Sequence, residues 1–246
     1  MSKLLTLQSY LTNDLKVFRA PFFKKMEKIS EGAVAPESDP SRTHYRVPSL
    51  SIFETWYISG IAGGRRPSTY SESPRLWNTY FERAGIKGVY FGFDLPHEKD
   101  FQAFLEAFAE VPGALDLTVT DPYKTAAFHA VKGLPRSVVM SEQAEHTETV
   151  NHVIMDTDNN QVFALNTDGL GMIRALREKM DISGRKVLMF GAGGSAASIG
   201  YEFVKAGNDL QILNRTPDRA RALVAMLGNF KGPEQELEWG GFDSIV

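Results

Sequence analysis

From residue 56 onward, short apolar runs alternate with stretches of helical periodicity. Trp56-Tyr-Ile-Ser-Gly-Ile61 predicts a strand. Ser73-Pro74 then opens a helix with Leu76, Tyr80, Phe81 and Ala84 on one face and Gly85 at its end. A second strand follows at 89–93. A helix over 100–110 carries Phe101, Phe104, Leu105 and Phe108 as its apolar stripe, a spacing that marks core. A third strand lies at 115–119, a helix near 124–131, and further short strands at 138–140, 151–155 and 161–165. Asn166-Thr-Asp-Gly169 caps a long helix bearing Leu170, Ile173, Leu176 and Met180. Strands alternating with helices predict the α/β class, with an open and mostly parallel sheet.

The next stretch has a sharper signature. Val187 to Phe190 predicts a buried strand, Gly191, Gly193 and Gly194 form the turn after it, and a helix runs over about 195–206 and stops at Gly207. Strand, glycine turn and helix N-terminus together can hold a dinucleotide pyrophosphate on backbone N–H groups. A parallel strand follows at 210–213. The helix from Pro217 has Ala220, Leu223, Val224 and Leu227 on one face and stops at Gly228. The final 242–246 predicts the opening of a third parallel strand. A dinucleotide fold contains two βαβαβ halves. About one half is recognisable here, and the pattern implies a C-terminally incomplete protein.

The tip of the second strand speaks to the cofactor. An NAD site places Asp or Glu there to accept from the ribose 2′-hydroxyl. This chain has Asn214-Arg215-Thr216, so no carboxylate repels a 2′-phosphate, and Arg215 can meet one with two parallel hydrogen bonds. Arg219 lies one helical turn further on. The physical reading is NADP. Thr216-Pro217 is equally a good helix start, and Arg219 and Arg221 could be plain solvated charges. Asp209 stands before the strand and is not the ribose ligand.

The 246 residues bear a net charge of −3, which points away from nucleic acid as a partner. There is no cysteine, so disulfides, thiol nucleophiles and thiolate metal sites are excluded, and the five histidines never fall in a metal-ligand spacing. No apolar run approaches the roughly 18 residues that span a bilayer, and no signal peptide is evident. The default compartment is a reducing cytoplasm, with no membrane partner. Residues 8–29 mix apolar positions with Lys16, Arg19, Lys24, Lys25 and Lys28, which fits a peripheral amphipathic helix interrupted at Pro21. Residues 30–49 form a Pro- and Ser-rich loop or linker.

Six short motifs stand in order: Ser71-Glu-Ser-Pro74, Thr118-Val-Thr-Asp-Pro-Tyr-Lys124, Val150-Asn151, Asn166-Thr-Asp-Gly169, Gly191-Ala-Gly-Gly194 and Asn214-Arg-Thr216. As a set they resemble the shikimate dehydrogenase family, with its quinate/shikimate relatives, over about residues 56–246. The resemblance implies an N-terminal α/β substrate domain followed by a partial Rossmann NADP-binding domain, with 3-dehydroshikimate and NADPH interconverting with shikimate and NADP in a cleft between them. It assigns 1–55 to an extension or linker, 56–167 to the substrate domain, 168–181 to a linking helix and 182–246 to the nucleotide domain.

Residue by residue, the resemblance implies Lys124 and Asp168 as the catalytic pair. It implies Ser71 and Ser73 as carboxylate ligands, and Thr120 and Asn151 as substrate hydroxyl contacts. Gly191, Ala192, Gly193, Gly194, Ser195, Asn214, Arg215, Thr216 and Arg219 then form the NADP site. The residue types suit the chemistry, because hydride transfer at a ketone leaves negative charge on oxygen that needs a nearby proton or cation. Each also has a structural alternative: Ser73 as an N-cap, Asp168 as a helix cap, Lys124 as a surface lysine.

The chain departs from the family pattern at Thr118 (usually Asn), Asp121 (an added charge), Trp77 (often His), and Ala197 and Ser198 (a common basic residue). Those departures leave a quinate dehydrogenase using NAD or NADP, or a ligand-sensing module without turnover, as alternatives. A third, weaker reading assigns the nucleotide half to another dehydrogenase. A monomer or a homodimer is expected.

Overall fold

The computed structural model describes residues 57–111, 114–156 and 159–244. The amphipathic helix and linker expected before residue 56 lie outside these residues. The chain divides into two compact units, the first holding residues up to 139 together with 152–163, the second 140–151 and 164 onward.

The first unit is built on a mixed six-stranded sheet. In chain order the elements are β1 (Tyr57–Gly63), α1 (Pro67–Tyr70), α2 (Ser73–Ala84), β2 (Gly88–Asp94), α3 (Phe101–Ala109), β3 (Ala114–Val119), α4 (Lys124–Lys132), β4 (Ser137–Met140), β5 (His152–Asp156) and β6 (Gln161–Leu165). The strand order is β2-β1-β3-β5-β6-β4. β1 pairs in parallel with β2 and with β3, while β5 runs antiparallel to β3 with Thr118 opposite His152. β1 lies between two strands and is buried at every position after Tyr57, as a strand covered on both faces should be.

The predicted stripe of α3 is core. Phe101, Phe104, Leu105 and Phe108 are all essentially inaccessible, and the Phe104 ring lies 5.2 Å from that of Phe93 on β2. The stripe of α2 is not. Phe81 is buried against Ile61 and Tyr90, whereas Leu76 and Tyr80 are exposed. α2 is held down by Asn78, whose amide brackets the Tyr90 backbone on both sides at 2.9 Å, so its contact face is narrower than its apolar face.

The second unit holds α5 (Glu142–Thr147), α6 (Asp168–Arg177), β7 (Lys186–Phe190), α7 (Gly194–Lys205), β8 (Asp209–Leu213), α8 (Pro217–Leu227) and β9 (Leu237–Gly240). The three strands are parallel in the order β7-β8-β9. Three sequence expectations change here. The third strand is Leu237–Gly240, and residues 242–244 form a 3₁₀ turn after the Gly240-Gly241 break. β7 is half buried: Val187 and Met189 pack on the α7/α8 core, while Leu188 and Phe190 are 49% and 59% exposed, because an edge strand with one covered face buries only alternate residues. The helix from Asp168 ends at Arg177, with Ile173 buried and Leu170 and Met180 exposed.

The packing also divides the chain elsewhere than a cut at 167 and 181. α5, unforeseen in the sequence, belongs with the elements of the second unit. Gln143 donates to the Ser198 carbonyl at 3.1 Å, and His146 meets the Tyr201 hydroxyl at 2.8 Å with its ring 4.6 Å from that of Phe230. α6 is docked on α7 in the same unit rather than standing as a separate linker.

Candidate active-site residues

In the first unit the candidate residues gather beyond the C-terminal ends of β1, β2 and β3, the edge at which parallel α/β sheets present loops to ligands. Asp94, at the end of β2, is buried and accepts from the Ser68 backbone N–H at 3.0 Å and from the Ser68 hydroxyl at 2.5 Å. The Arg66 guanidinium stands 3.9 Å from the same carboxylate. The segment 66–70, which delivers the serine pair, is thereby tied to the sheet. Nothing in the local sequence around Asp94 announced that role.

Ser71 follows α1, and its hydroxyl accepts from the Ser73 backbone N–H at 3.2 Å. Ser73 is the first residue of α2 rather than its N-cap, a position taken by Glu72 without a side-chain capping bond. The two serines are therefore neighbours at the start of α2. Ser73 also reaches the Tyr90 hydroxyl, which donates to Thr118 Oγ1 at 2.8 Å. Burial pushes the Tyr90 phenol well above its ordinary range, so it acts as a neutral donor. Thr118, a departure from the family pattern, is thus engaged by Tyr90.

Thr120 follows β3, its N–H bonded to the Ala62 carbonyl at 2.9 Å and its own carbonyl accepting from Tyr123 N–H at 3.1 Å. The Asp121–Pro122 peptide is cis, and the Asp121 carboxylate pairs with Arg65 at 2.8 Å, both side chains largely exposed. Tyr123 is buried and donates to the Leu95 carbonyl at 2.6 Å, which anchors the start of α4. Lys124 is the first residue of α4 and is half-buried.

In the second unit, Asn151 and Asp168 come together. The buried Asn151 amide donates to Asp168 Oδ1 at 2.7 Å and to Thr167 Oγ1 at 3.1 Å, while its carbonyl oxygen accepts from Thr167 N–H at 3.0 Å. Asn166 Oδ1 accepts from Asp168 N–H at 3.1 Å, so Asn166 caps the helix and the Asp168 side chain does not. Lys124 belongs to the first compact unit and Asp168 to the second.

The glycine turn follows β7. Gly191 has φ +107°, a conformation that a side chain resists, and its N–H bonds to the Leu213 carbonyl at 2.8 Å, which sets the turn beside the end of β8. Gly193 precedes α7 with no side-chain cap, and a Cβ at Gly191 or Gly193 would meet open space. The start of α7 therefore lies beside open space at Gly191 and Gly193, where a helix N-terminus suits a pyrophosphate.

Asn214 is held by its own loop, its amide donating to the Thr216 carbonyl at 2.9 Å. Arg215, Thr216 and Arg219 are exposed, and among the described residues no carboxylate pairs with Arg215 or Arg219. Asp209 stands at the opposite end of β8, accepting from Glu236 N–H. These residues fit an NADP adenosine 2′-phosphate, with Arg215 and Arg219 to hold it and the Ala192–Ser195 segment to receive the pyrophosphate. Among the described residues there is no cluster that could hold a metal ion, and no helix long and apolar enough to cross a membrane.

Residues 65–153 match the family model of the shikimate dehydrogenase substrate binding domain. A shikimate dehydrogenase (NADP(+)) of Thermococcus kodakarensis is 36% identical over 157 residues, covering 64% of this chain and 54% of the relative, so the chain spans about half the length of that curated protein. The crystal structure of shikimate 5-dehydrogenase from Listeria monocytogenes with shikimate and NAD superposes with a TM-score of 0.64 at 25% identity, over 76% of this chain and 62% of that one. Quinate dehydrogenase from Corynebacterium glutamicum in complex with NAD gives a TM-score of 0.63 at 25% identity, over 77% and 65%. With a matching substrate-domain model, relatives above one third identity and the same α/β fold, this chain belongs to the shikimate dehydrogenase family.

Proposed function

We propose that the protein is an NADP-dependent oxidoreductase that interconverts 3-dehydroshikimate and shikimate. The observation that carries this reading is the pair of exposed guanidiniums, Arg215 and Arg219, without a carboxylate partner among the described residues and beside a glycine turn, in a chain whose residues 65–153 match the shikimate dehydrogenase substrate binding domain. Bound NADP supplies or accepts the hydride.

The chain's own residues do the rest. The Ser71 and Ser73 hydroxyls bind the substrate carboxylate at the start of α2, where the helix dipole favours an anion. Thr120 and Asn151 orient ring hydroxyls. The reacting hydroxyl gives up its proton as the ketone forms and regains one as it is reduced, and Lys124 Nζ is the group that takes and returns it. Asp168, steadied by Asn151, accepts from a neighbouring hydroxyl.

A spectrophotometric screen of shikimate and quinate with NADP and with NAD tests the reading. Reduced nucleotide from shikimate with NADP supports it. Turnover of quinate with NAD would favour the second reading, a quinate dehydrogenase, which the fold match to the Corynebacterium glutamicum enzyme supports. Binding of either acid with no reduced nucleotide in any pairing would mark a sensing module and overturn both.

A further inference from the structure

Ser198 sits one helical turn into α7, and it stood out in the sequence only as a departure from the family pattern. It is fully buried, and its hydroxyl accepts from the Gly169 backbone N–H at 2.9 Å. Gly169 is the second residue of α6, so its N–H has no partner within its own helix. The N-cap residue Thr167 makes no side-chain capping bond, because its hydroxyl is engaged with Asn151. A side chain of another helix therefore takes the second N–H of α6, after Asn166 has taken the first.

The junction allows little slack. A Cβ at position 169 would lie 2.3 Å from the Ser198 carbonyl oxygen and 2.4 Å from Gln143 Nε2. Gln143 Nε2 in turn donates to that carbonyl at 3.1 Å and to Glu202 Oε1 at 3.2 Å. Burial raises the Glu202 pKa, as expected of a carboxyl enclosed at a tight helix contact. Asp168 directly precedes Gly169, and the glycine turn directly precedes the helix that carries Ser198.

We infer that Ser198 is a positioning residue, which holds the start of α6 against α7 and so couples nucleotide binding at the glycine turn to the placement of the Asp168 carboxylate. The inference rests on the function proposed above. Occupancy of the first turn of α7 is transmitted through a helix contact with one packed arrangement, and the hydroxyl at 198 registers α6 to it.

The test compares Ser198→Ala with Ser198→Thr and with the near-isosteric Ser198→Cys, which keeps the contact should the alanine variant lose its fold. The Kd of NADP+ and the Kd of shikimate with and without saturating NADP+ are measured by calorimetry, alongside kcat and the melting temperature. Loss of one hydrogen bond at this junction predicts a fall in kcat of about five- to tenfold. NADP+ affinity alone stays within about twofold, and the factor by which NADP+ tightens shikimate shrinks by a similar five- to tenfold. Threonine restores most of both, and cysteine falls between.

An unchanged kcat and an unchanged coupling factor in Ser198→Ala overturn the inference. So does a fall in melting temperature with the coupling factor intact, which marks a purely structural contact. Asp168→Asn is run in parallel. If the unsubstituted protein turns over and Asp168→Asn does not, a normal Ser198→Ala sinks only the inference. If the unsubstituted protein binds neither nucleotide nor acid, the underlying function fails and the inference falls with it.

Discussion

Asn151 donates its amide to Asp168 Oδ1 at 2.7 Å, from the end of one buried segment to the first residue of a helix. The bond fixes which way the carboxylate faces. Asn151 thus holds a second candidate residue in place in addition to any contact it makes itself. Asn151→Ala removes a hydrogen bond to a charged acceptor and leaves the Thr167 N–H without a partner. A bond of this kind contributes about 1.5–3 kcal/mol, so kcat is expected to fall about ten- to a hundredfold. Steady-state kinetics with shikimate and NADP checks this, and a variant with unchanged kcat would show that the bond does not matter to Asp168.

Cofactor choice is assigned to Arg215. It stands at the tip of β8, exposed and without a carboxylate partner among the described residues. A bidentate contact with a phosphate contributes on the order of 2 kcal/mol. Arg215→Ala is expected to weaken NADP binding about thirtyfold while leaving NAD nearly unchanged. Titration of both nucleotides against the variant measures the ratio, and an equal loss for the two would remove Arg215 from the 2′-phosphate site.

The carboxylate end of the substrate depends on Asp94. Replacing it by alanine strands the Ser68 N–H and hydroxyl, at a cost of about 1–3 kcal/mol. The segment leading to Ser71 and Ser73 then loses its tie to β2. The KM for shikimate in Asp94→Ala is expected to rise about tenfold, with the Kd for NADP unaffected, since the candidate nucleotide residues belong to the other compact unit. A loss of NADP affinity alone would contradict this assignment.

Two carboxyls of α5 and α7 make opposite predictions for stability against pH. Glu142 is held below its ordinary value, first by the Tyr201 hydroxyl and then by Lys205. A depressed carboxyl stabilises the fold above the ordinary carboxylate range and loses that contribution as pH falls through its folded value. Glu202 is raised by burial, so its ionised form costs stability at neutral pH and the cost fades as pH falls. Glu142→Gln should therefore melt lower than the parent at pH 7, and Glu202→Gln higher. Both differences should shrink toward zero below the carboxylate range. Thermal melts from pH 3 to 8 decide the matter, and a Glu202→Gln that melts lower at pH 7 would contradict the burial argument.

The local periodicities of this chain were enough to specify its α/β class, most strands and helices, the phenylalanine core of α3, the glycine turn, and the arginines at the end of β8. Each of those signals lies within a dozen neighbouring residues, where backbone preference and the spacing of apolar side chains act directly. Tertiary structure alone decided the remainder. Asn151 meets Asp168 from 17 positions away, Ser198 meets Gly169 of α6 from 29, and Gln143 reaches α7 from 55. It also decided that the apolar runs of β7 and α2 are only half covered, and that the third parallel strand is Leu237–Gly240. A side chain's burial and its hydrogen-bond partner depend on which surface the topology brings against it, and a stretch of sequence records the capacity for such a contact without recording the neighbour.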